Sequence, residues 1–200
     1  MDSPTGAPDW RHELPTLSAR IVTLRELAAS DLGPLVDLLS VADASHFGLD
    51  DSDISVAAQR LIEGALRDRS NGLAFTYAIT IGATRTFVGV VQVRQLDPAF
   101  EAAEWDCTIA PSSRGTGIFL EAARLVGSFA FGSLGVHRLE SRVLLQNGRG
   151  NGAMRKLGAV QEGVLRRSAR RRREYVDQVL WSVLEDDWGD HWVSIAPRVH

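Results

Sequence analysis

The chain predicts a mixed α/β fold built on a central, mostly antiparallel sheet with one parallel strand pair, and three observations carry that reading. Apolar, β-branched runs joined by short turns fill residues 73–110, the pattern of an antiparallel meander. A strand, the glycine-bearing turn SSRGTGIF (112–119), a helical stripe and another strand then follow in order, which is a βαβ unit with parallel strands. Two more β-type runs near the end bring the expected count to about seven strands, with about four helices.

The elements read in order as follows. Residues 1–16 look like a flexible leader, residues 17–188 like one domain and residues 189–200 like a tail. ARIVTLREL (19–27) is a strand, and Ser30 and Asp31 precede LGPLVDLLSVA, where Leu32, Leu35, Leu38 and Leu39 recur at helical spacing. A second helix covers SVAAQRLIEGALRDR (55–69), reached through the acid-rich loop ASHFGLDDSD (44–53). LAFTYAITI (73–81) and TFVGVVQVRQL (86–96) form a hairpin, and AAEWDCTIA (102–110) is a strand that stops at Pro111. After the glycine turn, Ile118, Ala122, Leu125, Val126 and Phe129 make one apolar stripe on a helix that Gly135 ends. HRLESRVLL (137–145) returns as a strand. NGRGNGAMRKLGA then turns into a short helix with Asn151 as N-cap, and QEGVLRRS and YVDQVLWSVL close the sheet.

Composition narrows the function. Two hundred residues at 44% hydrophobic content suffice for a core without staples, and the single cysteine, Cys107, excludes an internal disulfide or a multi-cysteine zinc site. A net charge of −3 argues against wholesale nucleic-acid binding. No segment has the length or apolarity of a membrane span or the makeup of a signal peptide, so the expected compartment is the cytoplasm and no membrane partner is expected. Positive charge is nonetheless uneven: six arginines crowd into VLRRSARRRR, from Arg166 to Arg173, which reads as a solvated hairpin tip and is the one place for a nucleic-acid or acidic contact.

The turn itself has chemistry. Glycines let a backbone approach a ligand, and a helix N-terminus offers unpaired N–H groups with partial positive charge, so SSRGTGIF is a phosphate cradle. A dinucleotide site is a poor alternative, because RGTGIF lacks the third glycine of that fingerprint.

SSRGTGIF, LGVHRLESRVLLQNGRGNGAMRKLGAVQEGVLR and YVDQVLWSVLEDDW, in that order, resemble the GNAT superfamily of acyl-CoA-dependent N-acyltransferases, and within it the branch of Rim-type ribosomal-protein N-terminal acetyltransferases. The resemblance spans about residues 17–188 and implies a GNAT fold whose sheet is splayed at its parallel pair. It implies acetyl-CoA or another acyl-CoA as co-substrate, no metal, a primary amine as acceptor, either a protein N-terminus or a small molecule, and a homodimer with WSVLEDDWGDHWVSI supplying an interface. Ser113, Arg114, Gly115, Thr116, Gly117 and Ile118 then wrap the pyrophosphate. The pantetheine arm runs along the strand with Cys107, Thr108 and Ile109, whose N–H groups near Cys107 polarise the thioester. Asn147 holds the pantetheine region, Arg149 and Lys156 join the cofactor side, Glu104 contacts the acceptor and takes its proton, and His46, Asp50 and Asp51 face the acceptor from the loop at 44–53.

Departures from the family pattern are equally plain. Ser112 stands where Gln or Arg is usual, Gly150 replaces a common Ser, and Met154 occupies the position of a Tyr acid for the leaving thiolate. Asp106 and Phe119 stand where smaller residues are frequent. These changes motivate a rival reading, a GNAT-fold module that senses acyl-CoA or binds RNA or an acidic partner without turnover. His137 reads as structural, and Asp177 as an ion-pair partner of Arg166 or Arg167.

Overall fold

The structure, a computed structural model, describes residues 9–41, 53–171, 174–192 and 198–199. In chain order its elements are β1 (Leu17–Ser18), β2 (Val22–Glu26), α1 (Leu32–Val41), α2 (Ile54–Ser70), β3 (Ala74–Ile81), β4 (Thr86–Gln95), β5 (Ala102–Ile109), α3 (Ile118–Leu134), β6 (Arg138–Leu144), α4 (Gly148–Lys156), β7 (Val160–Arg171), β8 (Glu174–Leu184), α5 (Glu185–Trp192) and β9 (Arg198–Val199). The strands order as β7-β8-β6-β5-β4-β3-β2-β1-β9. Seven of them are the predicted strands; β1 and β9 are two-residue additions, too short to show a period.

Alternation along each strand sends side chains to two cores. Phe75, Tyr77, Ile79, Val91 and Val93 face the apolar stripe of α3, joined by Met154 of α4 and Trp188 of α5. Ala78 and Val90, between them in sequence, face α1 and α2 on the other side. Asp53 starts α2 by accepting the N–H groups of Ser55 and Val56, at 2.9 and 3.3 Å.

The expected flexible leader is corrected from residue 9 onward. Trp10 meets Phe75 and Phe100 edge-on, at 5.7 and 5.5 Å between ring centroids, and Leu14 is buried. Burial of an indole and a leucyl side chain outweighs the entropy of a polar, Pro-containing segment. Trp181 and Trp188, expected at a dimer face, are likewise consumed by the chain's own core. Trp188 lies 5.4 Å from Phe131 and donates to Ser128 Oγ at 3.2 Å.

The feature that positions the site is the parallel pair. β5 and β6 pair only at Ala102↔Arg138, Ala103↔Leu139 and Glu104↔Glu140. Beyond Glu104, β5 follows β4 to Ile109 while β6 follows β8 to Leu144, so the sheet opens into a wedge. α3 fills the crossover between the two strands, and its N-terminus stands at the open end.

Candidate active site

At that open end Pro111–Ser113 form a tight turn that uses up two donors: Ser113 N–H bonds to Ala110 O at 2.9 Å and Arg114 N–H to Pro111 O at 3.3 Å. Gly115 and Gly117 follow at φ of 79° and 90°, the left-handed region that glycine enters without strain. A Cβ at either would meet nothing within 4 Å, so backbone angle rather than crowding within the chain demands glycine there. Gly117 is the N-cap of α3, no side chain caps the helix, and the first intrahelical bond is Glu121 N–H to Gly117 O at 3.1 Å. The N–H groups of Ile118, Phe119 and Leu120 thus have no acceptor in the helix, and the macrodipole adds positive potential. The donor set suits an anion such as a pyrophosphate.

Two neighbours shape this turn. Arg114 Nε donates to Ile109 O at 3.1 Å, and Thr116 Oγ1 to Ser113 O at 2.6 Å. Glu121 Oε2 accepts Ile21 N–H at 2.9 Å and Val22 N–H at 2.7 Å, pinning the β1–β2 turn against α3. Between the two turns lies a hollow of about 590 Å³ lined by Arg20, Ser112, Ser113 and Thr116. Arg20 was not foreseen, because nothing in its local sequence marks it; a contact between segments a hundred residues apart brings it there.

The wedge presents one edge of β5. Ala110 N–H bonds to Val88 O and Leu96 N–H to Ala102 O, so even-numbered residues of β5 engage β4. Antiparallel alternation leaves the N–H and C=O groups of Trp105, Cys107 and Ile109 facing the opening. Cys107 N–H is held by Asp106 Oδ1 at 2.8 Å, and Ile109 O by Arg114. Thr108 points its backbone at β4, so of the predicted trio only Cys107 and Ile109 offer backbone groups to a ligand in the wedge. Burial, and secondarily the Asp106 carboxylate, push the Cys107 thiol well up, so the side chain stays protonated and is no nucleophile.

On the sheet face opposite α3, a polar cleft of about 250 Å³ lined by β4, β5, β6, β7 and β8 opens next to the wedge. Its floor is Glu104, 8% exposed, whose Oε2 accepts Arg94 Nη2 at 2.7 Å and Arg142 Nη1 at 3.2 Å. Arg94 sits directly opposite Glu104 in the β4–β5 register, so the pair is a cross-strand one. Oε1 makes no hydrogen bond with any described residue and is the oxygen open to an amine or a water. The line of charge continues through Glu140, Arg138 and Glu162: Arg138 bonds Glu140 at 2.9 Å and Glu162 in bidentate fashion at 2.7 and 2.6 Å.

Residues 22–160, well over half of the chain, match the family model described as an acetyltransferase (GNAT) domain. The chain belongs to the GNAT acetyltransferases. No curated protein sequence matches it. Among solved structures it resembles RimJ of Mycobacterium smegmatis in complex with CoA-disulfide, at 20% identity and a TM-score of 0.73, covering 86% of this chain and 87% of that one. The ribosomal-protein-S5-alanine acetyltransferase of Vibrio fischeri aligns at 16% identity and 0.73, covering 86% and 98%. Spermidine N-acetyltransferase of Vibrio cholerae, in complex with CoA and spermine, aligns at 18% and 0.72, covering 84% and 97%. At these identities the likeness is one of fold.

Within that GNAT fold the remaining predicted residues fall in several places. Asn147, not Asn151, is the N-cap of α4: its Oδ1 accepts Gly150 N–H at 2.9 Å, and its side chain is exposed at the end of β6. A Cβ at Gly150 would lie 2.7 Å from Asn147 Nδ2 and 2.9 Å from Val143 Cγ1, which explains the absent serine. Asn151 is instead buried, donating to Leu144 O and Asn147 O and accepting Trp181 Nε1. Arg149 and Lys156 are exposed on α4 and join no described contact with the glycine turn. Met154 is buried in the core, so no acid replaces the usual tyrosine at that position. His46, Asp50 and Asp51 lie outside the described residues. Among the described residues no group of three or more His, Cys, Asp or Glu is placed to hold a metal, and no helix is long and apolar enough to cross a membrane.

The arginine run lies along β7 toward the end of its hairpin with β8, where Arg166, Arg167 and Arg170 are exposed and Arg171 is half-buried, as expected of a solvated hairpin end. The β7–β8 register passes from Leu165↔Gln178 to Ala169↔Val176, so three residues of β7 stand opposite Asp177 alone. Asp177 accepts the Arg167 backbone N–H at 2.8 Å instead of pairing with a guanidinium, Arg167 sits at φ 52°, and Ser168 Oγ contacts Gln178 Oε1 at 3.0 Å. Ser168 of this bulge and, past it, Ala169, Arg170 and Arg171 line the cleft above Glu104.

Proposed function

We propose that the protein transfers an acetyl group from acetyl-CoA to a primary amine by direct attack in a ternary complex. One observation carries this reading. A helix N-terminus without a side-chain cap and a β-strand edge turned into a wedge converge at one place, with a buried carboxylate beside them.

The N–H groups of the Gly115–Ile118 turn take the pyrophosphate, and the β5 edge at Trp105, Cys107 and Ile109 receives the amides of the pantetheine arm as an added strand. The N–H groups on that edge polarise the thioester carbonyl. Glu104 Oε1 accepts a proton from the amine, directly or through water, as the nitrogen attacks the carbonyl carbon. A C–N bond forms, the C–S bond breaks, and the thiolate, with a thiol pKa of about 8.5, leaves without an enzymic acid. An α-amino group, pKa about 7.7–8.0, is closer to neutrality than a lysine at about 10.4 and asks less of the base.

Isothermal titration with acetyl-CoA, with NADH as a control, tests the reading. Wild type binds acetyl-CoA and not NADH, and Gly117→Glu, which puts a carboxylate and a Cβ at a φ of 90°, loses the binding while melting as a folded protein. Absence of binding by wild type overturns the proposal and leaves the non-catalytic module.

A further inference from the structure

The cleft above Glu104 has an unusual balance of charge for a site that takes an amine. Four guanidinium groups, Arg94, Arg142, Arg170 and Arg171, line it against two carboxylates, Glu104 and Asp106. Arg94 and Arg142 are engaged by Glu104 Oε2, which puts negative charge at the floor. Arg142 Nε, buried, finds no acceptor among the described residues. The Arg170 side chain is exposed, and its guanidinium forms no ion pair or hydrogen bond with any described residue. The bulge is held by Asp177 and Ser168, and residues 168–171 line the cleft, so the positive charge of this part of β7 stands along the site's wall.

We infer that the acceptor is an amine carrying its own carboxylate nearby, as in an amino acid or the first two residues of an acidic peptide N-terminus, with the ammonium end at Glu104 and Asp106 and the carboxylate at Arg170 and Arg171. This rests on the acetyl-transfer reading and narrows its substrate. Charge complementarity favours it: a polyamine brings several positive charges beneath Arg170 and Arg171, whereas a zwitterion matches both ends. Arginine presents a planar fork to a carboxylate, which makes the second contact directional. Size agrees, since about 250 Å³ is below the ~300–1,000 Å³ of clefts for drug-sized ligands and admits a small acceptor or a chain end.

The test uses the full chain with acetyl-CoA, following thiol release with aspartate, the dipeptide Ala-Asp, the carboxamide of each, and spermidine. The expected result is a kcat/KM about 10- to 100-fold higher for the carboxylates than for their carboxamides, the scale of one charged hydrogen bond, carried by KM. In Arg170→Glu that ratio falls to about one, and Arg170→Lys keeps part of it, with melting curves confirming that both fold. Aspartate against Ala-Asp separates a free amino acid from a chain terminus. Equal use of carboxamides, or a preference for spermidine, overturns the inference. If no acceptor is turned over although acetyl-CoA binds, the transfer reading fails by itself. Titration of the same acceptors into the CoA-bound protein then decides the subsite: a carboxylate preference lost in Arg170→Glu sustains it, and no preference overturns it.

Discussion

Asp106 Oδ1 accepts the backbone N–H of Cys107 at 2.8 Å, on the edge of β5 that faces the wedge. The same N–H is the donor proposed for the thioester carbonyl, so the carboxylate and the co-substrate compete for it, and the aspartate has to rotate away before the acyl group settles. Asp106→Ala removes the competitor. KM for acetyl-CoA is expected to fall about 2- to 10-fold, the scale of one net hydrogen bond. An unchanged or higher KM in initial-rate assays would show that Cys107 N–H takes no part.

Glu104 is tied to Arg94 and Arg142 through one oxygen and offers the other. Glu104→Gln keeps the shape and removes both the base and the charge that the two guanidinia face. The expected loss is about 10²- to 10⁴-fold in kcat/KM, with a changed pH–rate profile and intact binding of CoA by calorimetry. A pH–rate profile identical to wild type would assign Glu104 to structure alone.

Asn151 ties three elements together, through the end of β6, the start of α4 and the Trp181 indole of β8. Asn151→Ala leaves a buried indole N–H without its acceptor and takes one of two donors from each of the Leu144 and Asn147 carbonyls, which keep the backbone N–H groups of Asn147 and Asn151, and should cost about 2–3 kcal/mol, or roughly 5–9 °C in Tm. Asn147→Ala, at an exposed cap, should cost nearer ~1 kcal/mol. Equal losses in thermal melts would contradict the assignment of cap and buried latch.

Arg138, and then Ser182, hold the Glu162 carboxyl well below its ordinary 4.5, at about 2. A depressed carboxyl contributes stability that is complete above its unfolded value and is lost as pH falls from about 4.5 toward 2. Urea midpoints of wild type should therefore drop more steeply across that window than those of Glu162→Gln. Parallel slopes for the two proteins would remove this pair from the acid response.

What the sequence made legible was whatever local pattern dictates. The periodicity of α3, the apolar runs of β3 to β5 and the RGTG turn all reappear at the expected residues, because hydrophobic pattern and glycine chemistry act within a few residues. Misreadings arose where distant segments decide. Asn147 and Asn151 are both good caps, and only the Trp181 indole, thirty residues away, distinguishes them. Residues 9–16 look like a leader until the Phe75–Phe100 surface is present to receive Trp10. The exposed arginines of β7 gave no sign of the β-bulge between them, which has no signature in composition, and the partners of Glu104 follow from strand register alone.

The three residue pairs that join β5 to β6 have a mechanical consequence. Past Glu104 the sheet behaves as two plates, β7-β8-β6 and the remaining six strands, hinged at one end and bridged by α3. A ligand amide chain laid along the β5 edge would span the opening, slow amide exchange at Trp105, Cys107 and Ile109, and raise the energy needed to part the plates. Resistance to proteolysis would then rise with the concentration of acetyl-CoA, so that the lifetime of the polypeptide follows the metabolic supply of its acyl donor.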